Sequence, residues 1–212
     1  MNRRARRSSG DAALLECRGR FVRGLLGGVV ARGFRFWGAW VLAICCLWLA
    51  RPSGTSLVAG GSLIAIGLLI RAWAASLLQK DRELAVAGPY AHTRNPLYLG
   101  SLLMGLGGAV AAASPWLGVA FVAFFVRSYA PAIGRESAEL TGLFGESYRS
   151  YRASVPALLP RVTPYRRRAD LSGRNTTGPR RISPALYMRN REWEAALGAV
   201  AALAVLLLKS GG

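Results

Sequence analysis

The sequence predicts an all-α membrane protein, a multispan transmembrane helical bundle of about five spans with a cytosolic helical segment and loops. Three observations lead there. Apolar residues make up 52% of the 212, yet the chain also carries 28 Lys and Arg, a combination that suits a soluble domain poorly. The two kinds of residue are segregated: Phe36 to Ala50, Leu57 to Ile70, Leu97 to Ala113, Trp116 to Val126 and Ala195 to Leu208 hold no Asp, Glu, Lys or Arg. The basic residues are also one-sided. With the N-terminus in the cytosol, segments 1–35, 71–96 and 127–191 hold 9, 4 and 13 of them, leaving Arg51 and Lys209 for the other side. That asymmetry predicts a multi-pass protein with a cytosolic N-terminus and a C-terminus on the opposite side. Topology and anionic lipid account for the net charge of +18, so nucleic-acid binding is not required.

Taken in chain order, residues 1–35 form a basic N-terminal segment, within which Phe21 to Phe34 has the composition of an interfacial helix. No apolar run with a cleavage site directly follows the first four Arg, so a removable signal peptide is not expected. A membrane core spans 36–168. Its first apolar run contains Cys45 and Cys46, which with Cys17 offer no metal-ligand spacing and read as packing residues. The breaker Arg51-Pro52-Ser53-Gly54 leads to the second run. A bilayer core of about 30 Å needs roughly 20 helical residues, so this run becomes a full span if Arg71 snorkels or faces the bundle interior. Arg127 must do the same for the fourth run. Gly61 with Ala65, and Gly108 with Ala112, have the four-residue spacing that allows close helix approach.

At the mouth of the third run stands Gly88-Pro89-Tyr90-Ala91-His92-Thr93-Arg94-Asn95-Pro96-Leu97-Tyr98-Leu99-Gly100. Pro96 predicts a helix start with Asn95 as its cap, and such a start presents backbone amides to an anion. Ser114-Pro115 joins the third and fourth runs in a tight hairpin. A separate cytosolic segment follows from Gly134 to Arg168, with Leu140, Leu143, Phe144 and Tyr148 at helical spacing across Gly145. Arg166 to Arg168 suit anionic headgroups. Residues 169–191 read as a basic flexible loop, most clearly from Leu171 to Ile182, and 192–212 as a C-terminal transmembrane helix.

From Lys80 to Pro160 the chain resembles the isoprenylcysteine carboxyl methyltransferase and phospholipid methyltransferase family of membrane enzymes. The shared pattern is Gly88-Pro89-Tyr90, then Arg94-Asn95-Pro96-Leu97-Tyr98-Leu99-Gly100, then Glu136, Leu140, Phe144-Gly145, Tyr148, Tyr151 and Val155-Pro156, in that order. The resemblance implies a methyltransferase dependent on S-adenosylmethionine (SAM), whose cofactor site is built from helices and loops. The only glycine fingerprint nearby, Gly105 to Gly108, lies inside an apolar run and follows no strand.

Carried over by position, Tyr90, Asn95, Pro96, Leu97 and Tyr98 line the cofactor pocket and Glu136 is its acidic contact, with 82–85 as a further stretch. The residue types suit the ligand. A Glu takes the ammonium or ribose hydroxyls, Arg94 or backbone amides take the carboxylate, and Tyr rings cover the adenine and favour the cation. Alone, Tyr90 and Tyr98 would read as headgroup-level anchors. His92, the one His, reads as a structural or pocket-rim residue rather than a general base, and no covalent catalyst is needed. Three departures bear on the substrate. The family's second Glu is Ser137, with Glu139 as the nearest replacement; Val-Pro-Arg is Val155-Pro156-Ala157; and the substrate-binding Arg of the carboxyl methyltransferases is Ala132, leaving Arg127 and Arg135 as candidates.

The function expected is methylation, on oxygen, sulfur or nitrogen, of a lipid or other hydrophobic acceptor, small or lipidated, with membrane lipids as partners. Two other classes compete: a steroid-reductase-like membrane enzyme using NADPH, and a non-catalytic docking protein.

Overall fold

The computed structural model describes residues 37–38, 41–78, 84–166, 183–190 and 192–210. The basic segment 1–35, its interfacial helix and the loop over 171–182 lie outside the described residues. The chain divides into two units, Met1–Val41 and Leu42–Gly212, and the site belongs wholly to the second. That unit begins with a helical stretch over 42–49, here α1. Cys46 Sγ donates to the Gly108 carbonyl at 3.7 Å, and both Cys45 and Cys46 pack against apolar neighbours, as expected.

The breaker before the second run works through Ser53. Its hydroxyl accepts the Ser56 amide at 3.2 Å while the Ser56 hydroxyl accepts the Ser53 amide at 2.9 Å, a reciprocal box that satisfies two orphan donors. Helix α2 then runs Gly54–Leu77. After a 3-10 turn, Gly88–Ala91, helix α3 covers Pro96–Ala111 and lies against α2.

Glycines set the distance between these two helices. A Cβ on Gly60 would collide with Gly107 and Ala111, one on Gly67 with Gly100 and Met104, and one on Gly107 with Gly60 and Ile64. The backbones thus touch at Gly60 and Gly67 of α2 and at Gly100 and Gly107 of α3, a seven-residue repeat on each. The close approach of α2 and α3 does not run through the expected Gly61 and Gly108, where an added Cβ would meet nothing within 4 Å. Both helices carry small residues on more than one face, and a stripe read from one segment does not say which face finds a partner.

Ala112, Ala113 and Ser114 join α3 to α4, which runs Pro115–Ser154 with a kink at Gly145. The helix continues through Gly134, so the expected fourth span and the start of the expected cytosolic segment share one element. Pro131 lies inside the helix, where one lost backbone bond is tolerated by local adjustment. At 1.5 Å per residue the part before Gly145 is ~45 Å long, longer than a bilayer core of about 30 Å. Gly145 interrupts α4 with φ 52° and ψ −126°, a conformation only glycine adopts freely. The bend turns Tyr148 and Tyr151 back to bury with Leu84 and Val155.

Within 169–191, Pro184–Arg189 form a short helix, α5, in place of loop. Helix α6 covers Trp193–Ser210. Its Leu206 is buried with Ala50, Ala109, Ala111, Ala112 and Leu117, and Lys209 Nζ donates to the Leu47 and Trp48 carbonyls, both at 2.9 Å, completing the end of α1. Helices α2, α4 and α6 are long and apolar enough to cross a membrane, and α3 is a shorter apolar helix.

Candidate functional site

The segment before α3 is held by the chain that follows α4. The Arg94 amide donates to the Pro156 carbonyl at 3.0 Å, Asn95 Nδ2 to the Ala157 carbonyl at 2.8 Å and the Thr93 hydroxyl to the Leu158 carbonyl at 3.0 Å. Further along, the Arg161 amide donates to the His92 carbonyl at 2.9 Å and His92 Nδ1 to the Arg161 carbonyl at 2.8 Å. A carbonyl only accepts, so Nδ1 carries the proton. His92 is thus part of the tie between the two strands of chain and does not line the cavity.

Asn95 needs a correction. It occupies the N-cap position of α3, but its side chain makes no capping bond; the amide group is turned to Ala157. Its carbonyl takes the Tyr98 and Leu99 amides at 3.1 and 3.0 Å, and Pro96 has no N–H to give. In the first turn this leaves the Leu97 amide, so an anion meets fewer backbone donors here than an ordinary helix start offers.

Tyr90 lies in the 3-10 turn with its carbonyl fixed by the Tyr151 hydroxyl at 2.7 Å. Burial, first of all, and then the nearby Glu136, Tyr151, Glu192 and Tyr98 push its own hydroxyl well above the usual range. It therefore stays protonated and can donate. Burial raises the Tyr151 hydroxyl too, with Tyr148 adding and Arg94 opposing. The Tyr148 hydroxyl donates to Ser137 Oγ at 3.0 Å and receives Arg94 Nη1 at 3.5 Å, while Arg94 Nε is buried with no hydrogen-bond partner among the described residues.

These groups surround one cavity of about 500 Å³, within the roughly 300–1,000 Å³ of ordinary ligand sites. All seven residues expected at the cofactor, Tyr90, Arg94, Asn95, Pro96, Leu97, Tyr98 and Glu136, line it, as do Leu84 and Ala85 of the further stretch; Arg82 and Glu83 lie outside the described residues. Of the two substrate candidates, Arg135 lines the cavity and Arg127 does not. Nine residues before Glu136, Arg127 is about half a turn out of phase with it. The opposite wall is one face of α4, Ala132, Glu136, Leu140, Phe144, Tyr148 and Tyr151, together with Ser137 and Glu139. Its apolar part was visible in the sequence as a helical repeat, which marks a buried face but not what it faces.

Residues 55–147 match the family model described as Phospholipid methyltransferase. Over those residues, somewhat less than half of the chain, the sequence is similar to phospholipid methyltransferases. Over 88 residues it is also 32% identical to a protein of Schizosaccharomyces pombe (strain 972 / ATCC 24843) named Protein-S-isoprenylcysteine O-methyltransferase. That match covers 42% of this chain and 37% of the yeast protein, so the chain spans well under half of its relative's length. No solved structure matches. The domain match runs from the start of α2 through Gly145 and so contains α3 and most of both cavity walls; Tyr148, Tyr151, the Pro156–Leu158 carbonyls, α5 and α6 lie beyond it.

Proposed function

We propose that the protein is a SAM-dependent methyltransferase acting on a lipid or other hydrophobic acceptor. The observation that carries this reading is the convergence of Tyr90, Arg94 to Tyr98 and Glu136 on one cavity beside an apolar helix. The donor set fits the cofactor. Arg94, with Nε buried and unpartnered among the described residues, suits the carboxylate; Glu136 suits the ammonium or ribose hydroxyls; the rings of Tyr90 and Tyr98 suit the adenine and the sulfonium. When bound, SAM supplies an electrophilic methyl that passes to an acceptor lone pair as the carbon–sulfur bond breaks towards sulfur. The residues present need only align the acceptor behind that bond and exclude water.

A hydrophobic acceptor is supported by a ladder of rings. Tyr98 meets Tyr129 edge to face at 5.0 Å, Tyr129 stacks on Phe125 at 4.4 Å, and Phe125 lies 6.0 Å from Phe121, leading away from the cavity along apolar α4. The reading is tested with purified protein, by thermal stability with SAM or NADPH and by transfer of labelled methyl to native lipid extract. SAM should stabilise, by about 2.7 kcal/mol at a hundred times its Kd, and label should enter the lipid. Stabilisation by NADPH and not SAM points to the reductase class, and no response to either ligand to a docking protein.

The proposed topology has five spans, with 36–50 and α3 adding to α2, α4 and α6, and places the cavity in the cytosol with the C-terminus opposite. In a chain with Cys17, Cys45 and Cys46 replaced by Ser, Ser154→Cys should label from the cytosolic side and Ser210→Cys from the other. Labelling of both from one side overturns it.

A further inference from the structure

Glu192 lies beyond the stretch that matches the family model and outside the cavity wall, yet only 8% of its side chain is exposed, at the head of an apolar helix. A carboxylate is costly there unless it is paired. Its partner is Arg71 of α2, which meets it fork to fork: Nε donates to Oε2 at 2.8 Å and Nη2 to Oε1 at 3.0 Å. The remaining nitrogen of the guanidinium points to α3. Arg71 Nη1 donates to the Ser101 hydroxyl at 2.5 Å and to the Leu97 carbonyl at 3.3 Å, and the Ser101 hydroxyl donates to that same carbonyl at 3.0 Å. Leu97 is cavity wall.

We infer that Glu192 is a positioning residue for the cofactor cavity, holding the first turn of α3 through Arg71; the inference rests on the cofactor reading above. A guanidinium is planar and its donors are rigidly placed, so a carboxylate that fixes two nitrogens also fixes the third. The same C-terminal segment steadies the end of α2: the Ser183 amide donates to the Ser76 carbonyl at 3.3 Å, and Asn190 Nδ2 to the Ala75 and Leu78 carbonyls at 2.9 and 3.4 Å. Leu78 lines the cavity as well. Docking of α6 by itself does not require Nη1, because Leu206 and Lys209 anchor that helix at its far end.

The test compares Glu192→Gln, Ser101→Ala and Leu206→Ala in the purified full chain. Three quantities are read: SAM Kd, the thermal midpoint without ligand, and hydrogen exchange of the amides of 97–101 without ligand. Glu192→Gln should raise Kd at least about tenfold, remote misplacement being able to cost about a hundredfold, and should speed exchange over 97–101. Ser101→Ala keeps the ion pair and should move both in the same direction by less. Leu206→Ala should lower the midpoint and leave Kd and that exchange as in the parent. The inference is overturned if Glu192→Gln costs no more affinity than Leu206→Ala at equal loss of midpoint, or if exchange over 97–101 is unchanged. Should Glu192→Gln fail to fold, parent-like affinity and exchange in Ser101→Ala overturn it. A parent protein that does not bind SAM removes the cofactor reading, and the ligand-free exchange then judges Glu192 on its own.

Discussion

Gly60→Leu should separate α2 from α3 and leave the protein without its folded core, while Gly61→Leu, one residue away, should be nearly silent. A Cβ on Gly60 falls inside van der Waals contact of the Ala111 amide nitrogen, the Gly107 carbonyl oxygen and the Ala111 methyl. Two of these are backbone atoms and cannot swing aside. Overpacking a core ordinarily costs about 1–3 kcal/mol where side chains can yield, and here the helices themselves must part. They also carry Gly67 against Gly100 and the Arg71 bonds to Leu97 and Ser101, so the loss spreads along the interface. A Cβ on Gly61 would meet nothing within 4 Å, and a leucine there should change stability by no more than about 0.5 kcal/mol. Thermal or denaturant unfolding followed by circular dichroism in detergent reads the difference. Equal stability of the two variants would show that the α2–α3 register is not the one described.

Glu136→Gln should weaken SAM binding by about 1.5–3 kcal/mol, the worth of a hydrogen bond to a charged group, which is about tenfold to about a hundredfold in Kd. Glu136 lines the cavity on the α4 face that looks towards Arg94 and Tyr90, and its charge is felt at the Tyr90 hydroxyl. The amide keeps the shape and removes the charge. Arg94→Gln should act alike from the other end of the ligand, because the guanidinium suits the carboxylate and its Nε has no partner among the described residues. Glu146→Gln is the control: this carboxylate is exposed and, among the described residues, pairs with Arg149 alone, at 3.4 Å across one turn, an arrangement worth about 0–1 kcal/mol. Calorimetric titration with SAM gives all three values. If Glu136→Gln binds as the parent does, or no worse than Glu146→Gln, the cofactor does not lie against this face of α4.

The class of the molecule and a set of residues that share one cavity were legible in the residues alone. Charge-free runs beside concentrated Arg dictate a membrane helical protein because a low-dielectric solvent excludes unpaired charge. The ordered motif from Tyr90 to Glu136 named residues that do share one cavity, since a helix start and a helical repeat are local features written in neighbouring residues. Which faces meet depends on the docking of distant segments. Gly60 and Gly61 are equally small, and the packing of α3 makes one indispensable and leaves the other open. Asn95 sits where a cap belongs, but Ala157, 62 residues away in sequence, takes its side chain. Arg71 was legible as a charge that must snorkel or turn inward, and its partner Glu192 was not, because 121 residues separate them. A residue's spacing along its own segment fixes which neighbours share its face; what lies opposite that face depends on how distant segments dock, and that is a property of the assembled bundle.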